Sequence, residues 1–203
     1  MLQLDHLAVA AGTLEEGRAA VEQALGVRLQ PGGQHAHFGT HNMLLGFDDG
    51  LYLEVIAIDP TAPAPGHARW FNLDRFEGPP KLNNWICRSD DLLAEIERFP
   101  AAGHPVALSR SDLTWRMAVP ETGLLPYDNV FPALMQWDCA EHPAQRLQAS
   151  GCALARLRVS HPQAGALATA LGPMLRDDRV QFVAGAPGLR AEITTPGGLR
   201  VLE

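Results

Sequence analysis

The chain has 203 residues, 46% of them hydrophobic, enough to bury a sizeable core in one large domain or two smaller modules. Sixteen basic residues against 23 acidic ones give a formal charge of -7, spread without blocks, which argues against nucleic acid or an anionic membrane as partner. The opening MLQLDHLAVAAGTLEEG has no basic leader and no apolar run approaches the ~18 residues of a membrane span, so a cytoplasmic protein is expected.

Residues 2–10, LQLDHLAVA, have the composition of a strand. Thr13 then caps LEEGRAAVEQALG, whose apolar positions Leu14, Ala20, Val21, Ala24 and Leu25 recur at helical spacing. Glu15 and Glu16 suit the first turn and Gly26 the stop. Strands follow at 27–30, 41–47 and 51–58, separated by Pro31-Gly32-Gly33 and Asp48-Asp49-Gly50. Residues 1–59 therefore read βαβββ. Residues 60–80 form a proline-rich crossover, pinned to the body by Trp70, Phe71 and Phe76.

The same order recurs over 81–143. LNNWICR is a strand, Ser89 and Asp90 seed a helix through LLAEIERF, and strands follow at 105–110, 113–119 and 131–138. A shorter unit occupies 144–203, with a strand at 154–160, an Ala/Leu-rich helix around 163–175, and strands at VQFVAG, LRAEITT and LRVLE. It either completes the main sheet or covers an edge. The repeat predicts an α+β fold of paired βαβββ modules in an open, barrel-like mixed sheet, plus a C-terminal βαββ(β) unit. Cys87, Cys139 and Cys152 are odd in number and form no Cys-x-x-Cys pair, so reduced thiols with no zinc or redox role are expected.

One residue resists this reading. The strand LYLEVIAI carries Glu54 in its middle, although neither face looks wet. A buried unpaired charge costs several kcal/mol, so a cation, a donor or a solvent-filled cavity should lie beside it. Laying LDHLAV over LNNWIC puts His6 opposite Asn84, and laying LEV over MQW puts Glu54 opposite Gln136. If the modules pair about a pseudo-two-fold, these four side chains converge. Imidazole, carboxylate and amide oxygen are acceptable ligands for a divalent ion. Against this stand a hydrogen-bonded core histidine at His6 and an arginine partner for Glu54.

LDHLAVA, the run GGQHAHFGTHNMLLGFDDGLYLEVIAIDP, SRSDLTWRMAV and LMQWD with the later HP resemble glyoxalase-like domain proteins of the vicinal oxygen chelate superfamily. That superfamily includes glyoxalase I, extradiol dioxygenases and antibiotic-resistance proteins. The resemblance spans roughly residues 1–145. It implies a divalent ion (Zn, Ni, Fe, Mn or Mg) held by His6 and Glu54, with Gln136 the better candidate from the second module. Asn84, a poor ligand, is assigned to substrate. This sequence departs from the pattern at Asn84 and Gln136, where His, Glu or Gln is expected.

Among His35, His37 and His41, the resembling pattern places its histidine at His35; His37 is the first candidate for an extra ligand, and a solvated loop is the favoured reading. Arg110, Trp115, Arg116 and Trp137 fall near the expected mouth of the second module, where guanidinium could fork to an anion and indole could wall a pocket. No phosphate-binding or dinucleotide motif is present, so no nucleotide cofactor is expected. The leading expectation is a metal-dependent lyase, isomerase or dioxygenase acting on a small oxygen-rich molecule, with Glu54 catalytic. The alternative is metal-free sequestration of a small-molecule ligand in the same cavity; a purely structural role ranks last. The long crossover also admits pairing of modules between two chains, a homodimer.

Overall fold

The computed structural model describes residues 1–175 and 177–203. Its first half runs β1 (Gln3–Ala10), α1 (Leu14–Leu25), β2 (Gln30–His35), β3 (Thr40–Gly46) and β4 (Tyr52–Ile58). Thr13 caps α1 by accepting from the Glu16 N–H, and Gly26 ends it in the left-handed region at φ 72°. The helix lies close on β4, since a Cβ on Gly17 would come 2.5 Å from Val55 Cγ1. The second half repeats the order with β5 (Lys81–Arg88), α2 (Leu92–Arg98), β6 (His104–Arg110), β7 (Leu113–Val119) and β8 (Ala133–Trp137). Here Asp91, rather than Ser89 or Asp90, is the cap of α2.

The eight strands form one sheet in the order β2-β3-β4-β1-β5-β8-β7-β6. Each half sets its first strand parallel to its last, β1 to β4 and β5 to β8, and the two first strands join antiparallel. The sheet curls into a half-barrel, bringing Arg110 at the end of β6 against Gly33 of β2. The crossover closes the hollow from outside: Trp70 and Phe71 are each 3% exposed, and Phe76 is half-buried.

The C-terminal unit is β9 (Ala153–Ser160), α3 (Ala164–Leu171), β10 (Val180–Val183), β11 (Gly188–Thr195) and β12 (Gly198–Leu202). It forms its own sheet, β10-β9-β11-β12, instead of completing the first. Leu154, Leu157, Val159, Ala191 and Ile193 bury one face of it, with Leu167 and Leu171 of α3 in the same core. Cys87 and Cys152 are buried free thiols and Cys139 is half-buried. Among the described residues, no helix is long and apolar enough to cross a membrane.

Candidate active site

Parallel pairing of β1 with β4 sets His6 beside Tyr52 and Ala8 beside Glu54, and His6, Tyr52 and Glu54 line the hollow. The rings of His6 and Tyr52 stack at 4.3 Å. On β3, Asn42 lies on the same face, diagonal to Glu54, and its Nδ2 donates to Glu54 Oε1 at 2.6 Å. The orientation of that amide is fixed, because its Oδ1 accepts from the Gly33 N–H at 2.7 Å and from Arg110 Nη1 at 3.2 Å.

Two imidazoles flank the Glu54 carboxylate, which is 5% exposed. His6 Nε2 approaches Oε2 at 3.7 Å, and His35 Nε2 approaches Oε1 at 4.0 Å. Their environments drive them apart. Burial disfavours a charge on His6, but the carboxylates of Asp5 and Glu54 outweigh it and raise its pKa above the ordinary value. Burial dominates at His35 and, with the Arg110 charge, brings it down to about 4 against the pull of Glu54. Burial would raise Glu54, yet the imidazoles and the Asn42 amide take it down to about 2. The site therefore sets, in one row, a carboxylate between two imidazoles whose surroundings push them in opposite directions, His6 toward holding a proton and His35 toward losing one.

Asp5 anchors the row. It is fully buried and accepts from His6 Nδ1 at 2.6 Å, His142 Nε2 at 2.8 Å, Trp137 Nε1 at 3.0 Å and Arg88 Nη1 at 3.1 Å. His142 Nδ1 accepts from the Ala144 N–H, so its Nε2 carries the proton it gives to Asp5. Burial would raise Asp5, but the donated bonds of His142 and His6 hold it far below the usual carboxylate range.

The hollow is nearly filled, with about 30 Å³ open to bodies the size of water. That is space for about two waters. Its walls are Trp70, Phe71, Trp115, Met117, Met135 and Trp137. Phe71 holds a left-handed backbone at φ 59°, unusual for a bulky residue, and its carbonyl accepts from Asn83 Nδ2 at 3.0 Å.

Of the residues expected at the site, His6, Glu54, Arg110, Trp115 and Trp137 line the hollow, and Asn84, Arg116 and Gln136 do not. Register explains two of these. Met135 and Trp137 point inward, so Gln136 between them points outward, where its Oε1 caps α2 by accepting from the Leu92 N–H at 3.0 Å. Arg116, next to Trp115 and paired across the strands with Gln136, forks to Asp138 at 2.8 Å for both bonds. Asn84 is fully buried and accepts from Asn83 Nδ2 at 2.6 Å; among the described residues its own amide group has no acceptor.

Asp5, Asn42, Tyr52 and His142 join the site although the sequence does not single them out, and His35 lies in a strand rather than in the expected solvated loop. His35 ends β2, buried, with Nδ1 against Thr40 Oγ1 at 3.1 Å. His37 is exposed and stacks on His67 at 4.5 Å, while His41 is half-buried in β3. Asp5 carried a usable signal, the same as Glu54: an acid inside an apolar strand.

The donor set does not fit a divalent ion. His6 and Glu54 could each give one ligand, but His35 approaches the other carboxylate oxygen, which Asn42 already occupies. The second module offers thioethers and indoles in place of nitrogen or oxygen ligands. Among the described residues, no three His, Cys, Asp or Glu side chains are grouped to hold a metal.

Two βαβββ halves joined through their first strands, with polar groups collected in the curl, have the paired-module architecture expected of the vicinal oxygen chelate fold. A family model described as a glyoxalase-like domain matches residues 4–175, and the chain belongs to that family. No curated protein matches the sequence significantly. Among solved structures, a hypothetical protein from Staphylococcus aureus is similar at 14% identity, covering 99% of this chain and 84% of that one with a TM-score of 0.60. Methylmalonyl-CoA epimerase from Mycobacterium tuberculosis is similar at 18% identity, 70% and 91% coverage and a TM-score of 0.45.

Proposed function

We propose that the chain is an enzyme that moves a proton on a small oxygen-rich carbonyl compound, using its own acid and base groups. The observation that carries this is the carboxylate of Glu54 held between two imidazoles of opposite protonation preference. Titratable neighbours whose pKa values are driven apart divide the roles of acid and base. The imidazolium of His6 donates to a developing oxyanion, and neutral His35 accepts the proton from the adjacent carbon. Glu54 is the catalytic carboxylate that keeps His6 charged and balances the charge that forms. Arg110, reaching the hollow from β6, provides the fork for a substrate carboxylate. The aromatic walls exclude water, and substrate enters by displacing the Arg110 contact to Asn42.

The reading is tested by following exchange of carbon-bound hydrogen for solvent deuterium by proton NMR, over a set of 2-oxo and 2-hydroxy acids in excess EDTA. At least one compound is expected to exchange with the wild type and not with Glu54→Gln. Exchange that requires an added divalent ion would return the metal-dependent mechanism, and no exchange together with tight binding would make the protein a sequestering one.

A further inference from the structure

A second, roomier hollow lies away from the aromatic one, where the start of β5 meets the end of β9 and the start of β11. It offers about 520 Å³. Leu82, Val130, Pro187 and Leu189 give it apolar walls, and Ser160 and Asn83 add polar groups. Three cations, Lys81, Arg158 and Arg190, line it together with two carboxylates, Asp128 and Glu203.

Strand register makes the arginines informative. Arg158 and Arg190 are direct partners across the antiparallel β9–β11 ladder, so two guanidinium stems rise side by side from one face. Like charges directly opposite are destabilising unless something between them compensates. Carboxylates do so only in part. Arg190 donates to Glu192 Oε1 at 2.6 Å and lies 3.7 Å from Glu203, while Glu192 is shared with Arg156 at 3.4 Å. Asp128, on the far wall, is held by His161 at 3.1 Å. Among the described residues Arg158 has no ion pair, although the chain as a whole is acidic.

We propose that this cleft is a second ligand site, distinct from the hollow around Glu54, and that it binds a phosphate group, free or carried by a small organic molecule. The Arg158 fork meets the phosphate oxygens, Arg190 adds charge beside it, Ser160 donates a hydroxyl, and the apolar wall covers any organic portion.

Binding of inorganic phosphate and of glycerol 3-phosphate, measured by phosphorus NMR at constant ionic strength, tests the site. Wild type, Arg28→Gln and Arg110→Gln are expected to bind alike, and Arg158→Gln to lose at least tenfold in affinity. Tighter binding of the ester would mark an organic ligand, and equal binding the free ion. Should the glutamine variant fail to fold, Arg158→Lys, which keeps charge but loses the fork, is expected to bind at least fivefold more weakly. No saturable binding by wild type, undiminished binding by the Arg158 variants, or loss in Arg110→Gln instead, would overturn the site. Loss in Arg110→Gln would place the phosphate in the hollow around Glu54, whereas loss in the Arg158 variants alone leaves the chemistry at Glu54 untouched.

Discussion

Asp5 and His6 are neighbours in sequence, yet Oδ1 of one meets Nδ1 of the other at 2.6 Å. In a regular strand their side chains would leave opposite faces. The β1–β5 register shifts between Leu4 and His6, so Asp5 occupies a bulge that re-aims it. Through that bulge the first strand reaches Arg88 and Trp137 of the second half and His142 beyond it.

Asp5→Asn keeps the shape and removes the charge that four donors share. A hydrogen bond to a charged group contributes ~1.5–3 kcal/mol, so a loss of roughly 3 kcal/mol is expected in urea denaturation. Turnover should fall with KM little changed, because the residue positions His6 and does not touch substrate. A stability change below about 0.5 kcal/mol would show that the anchoring is not energetic.

Glu54→Gln is isosteric and leaves His6 without its second carboxylate. Proton exchange on substrate is expected to fall at least a hundredfold, consistent with the ~10²–10⁴ that a positioned acid–base group supplies. Retention of more than a tenth of the wild-type rate would exclude Glu54 from the chemistry.

The acid side of the stability profile follows from three groups. His35 has a folded pKa of about 4 against an ordinary 6.5. As pH falls through that window the unfolded chain takes up a proton that the folded one refuses, so stability drops by roughly 3 kcal/mol across it. Glu54, folded at about 2 against 4.5, contributes fully above 4.5 and loses its contribution as pH falls toward 2. His6 has the opposite sign: its raised pKa stabilises below 6.5, and this fades as pH rises through the folded value. Thermal melts at steps from pH 7 to 4 should flatten in His35→Gln; an unchanged slope would contradict the assignment.

Gly33→Ala tests how the hollow is closed. The added Cβ would come 2.6 Å from Arg110 Cδ, at a flexible side chain that can swing away. Stability should fall by less than about 1 kcal/mol, within the range of a peripheral change, while the KM for an acidic substrate rises severalfold. Unchanged KM would mean that Arg110 does not hold the substrate.

The repeated order of elements was legible because each carries its own local signature. Thr13 and Gly26 bracket α1, and alternating or continuous apolar runs mark the strands. His6 and Glu54 stood out as polar groups inside such runs. The second module misled for a reason peculiar to sheets: period-two alternation makes a one-residue error change faces, so Gln136 was read inward where Met135 and Trp137 belong. His35 was hidden by the flanking glycines that suggested a loop. The Asp5 hub was beyond reach, since its partners Arg88, Trp137 and His142 are 83 to 137 residues away.

Without a metal, Glu54 and Asp5 together make His6 hold its proton more tightly than an ordinary imidazole. Nitrogen-15 imidazole NMR of the protein in EDTA, followed as a function of pH, measures this directly. His6 is predicted to titrate above the ordinary histidine value in the wild type, and lower in Glu54→Gln. A His6 that titrates at or below the ordinary value in the wild type, or that is unmoved in Glu54→Gln, would contradict it.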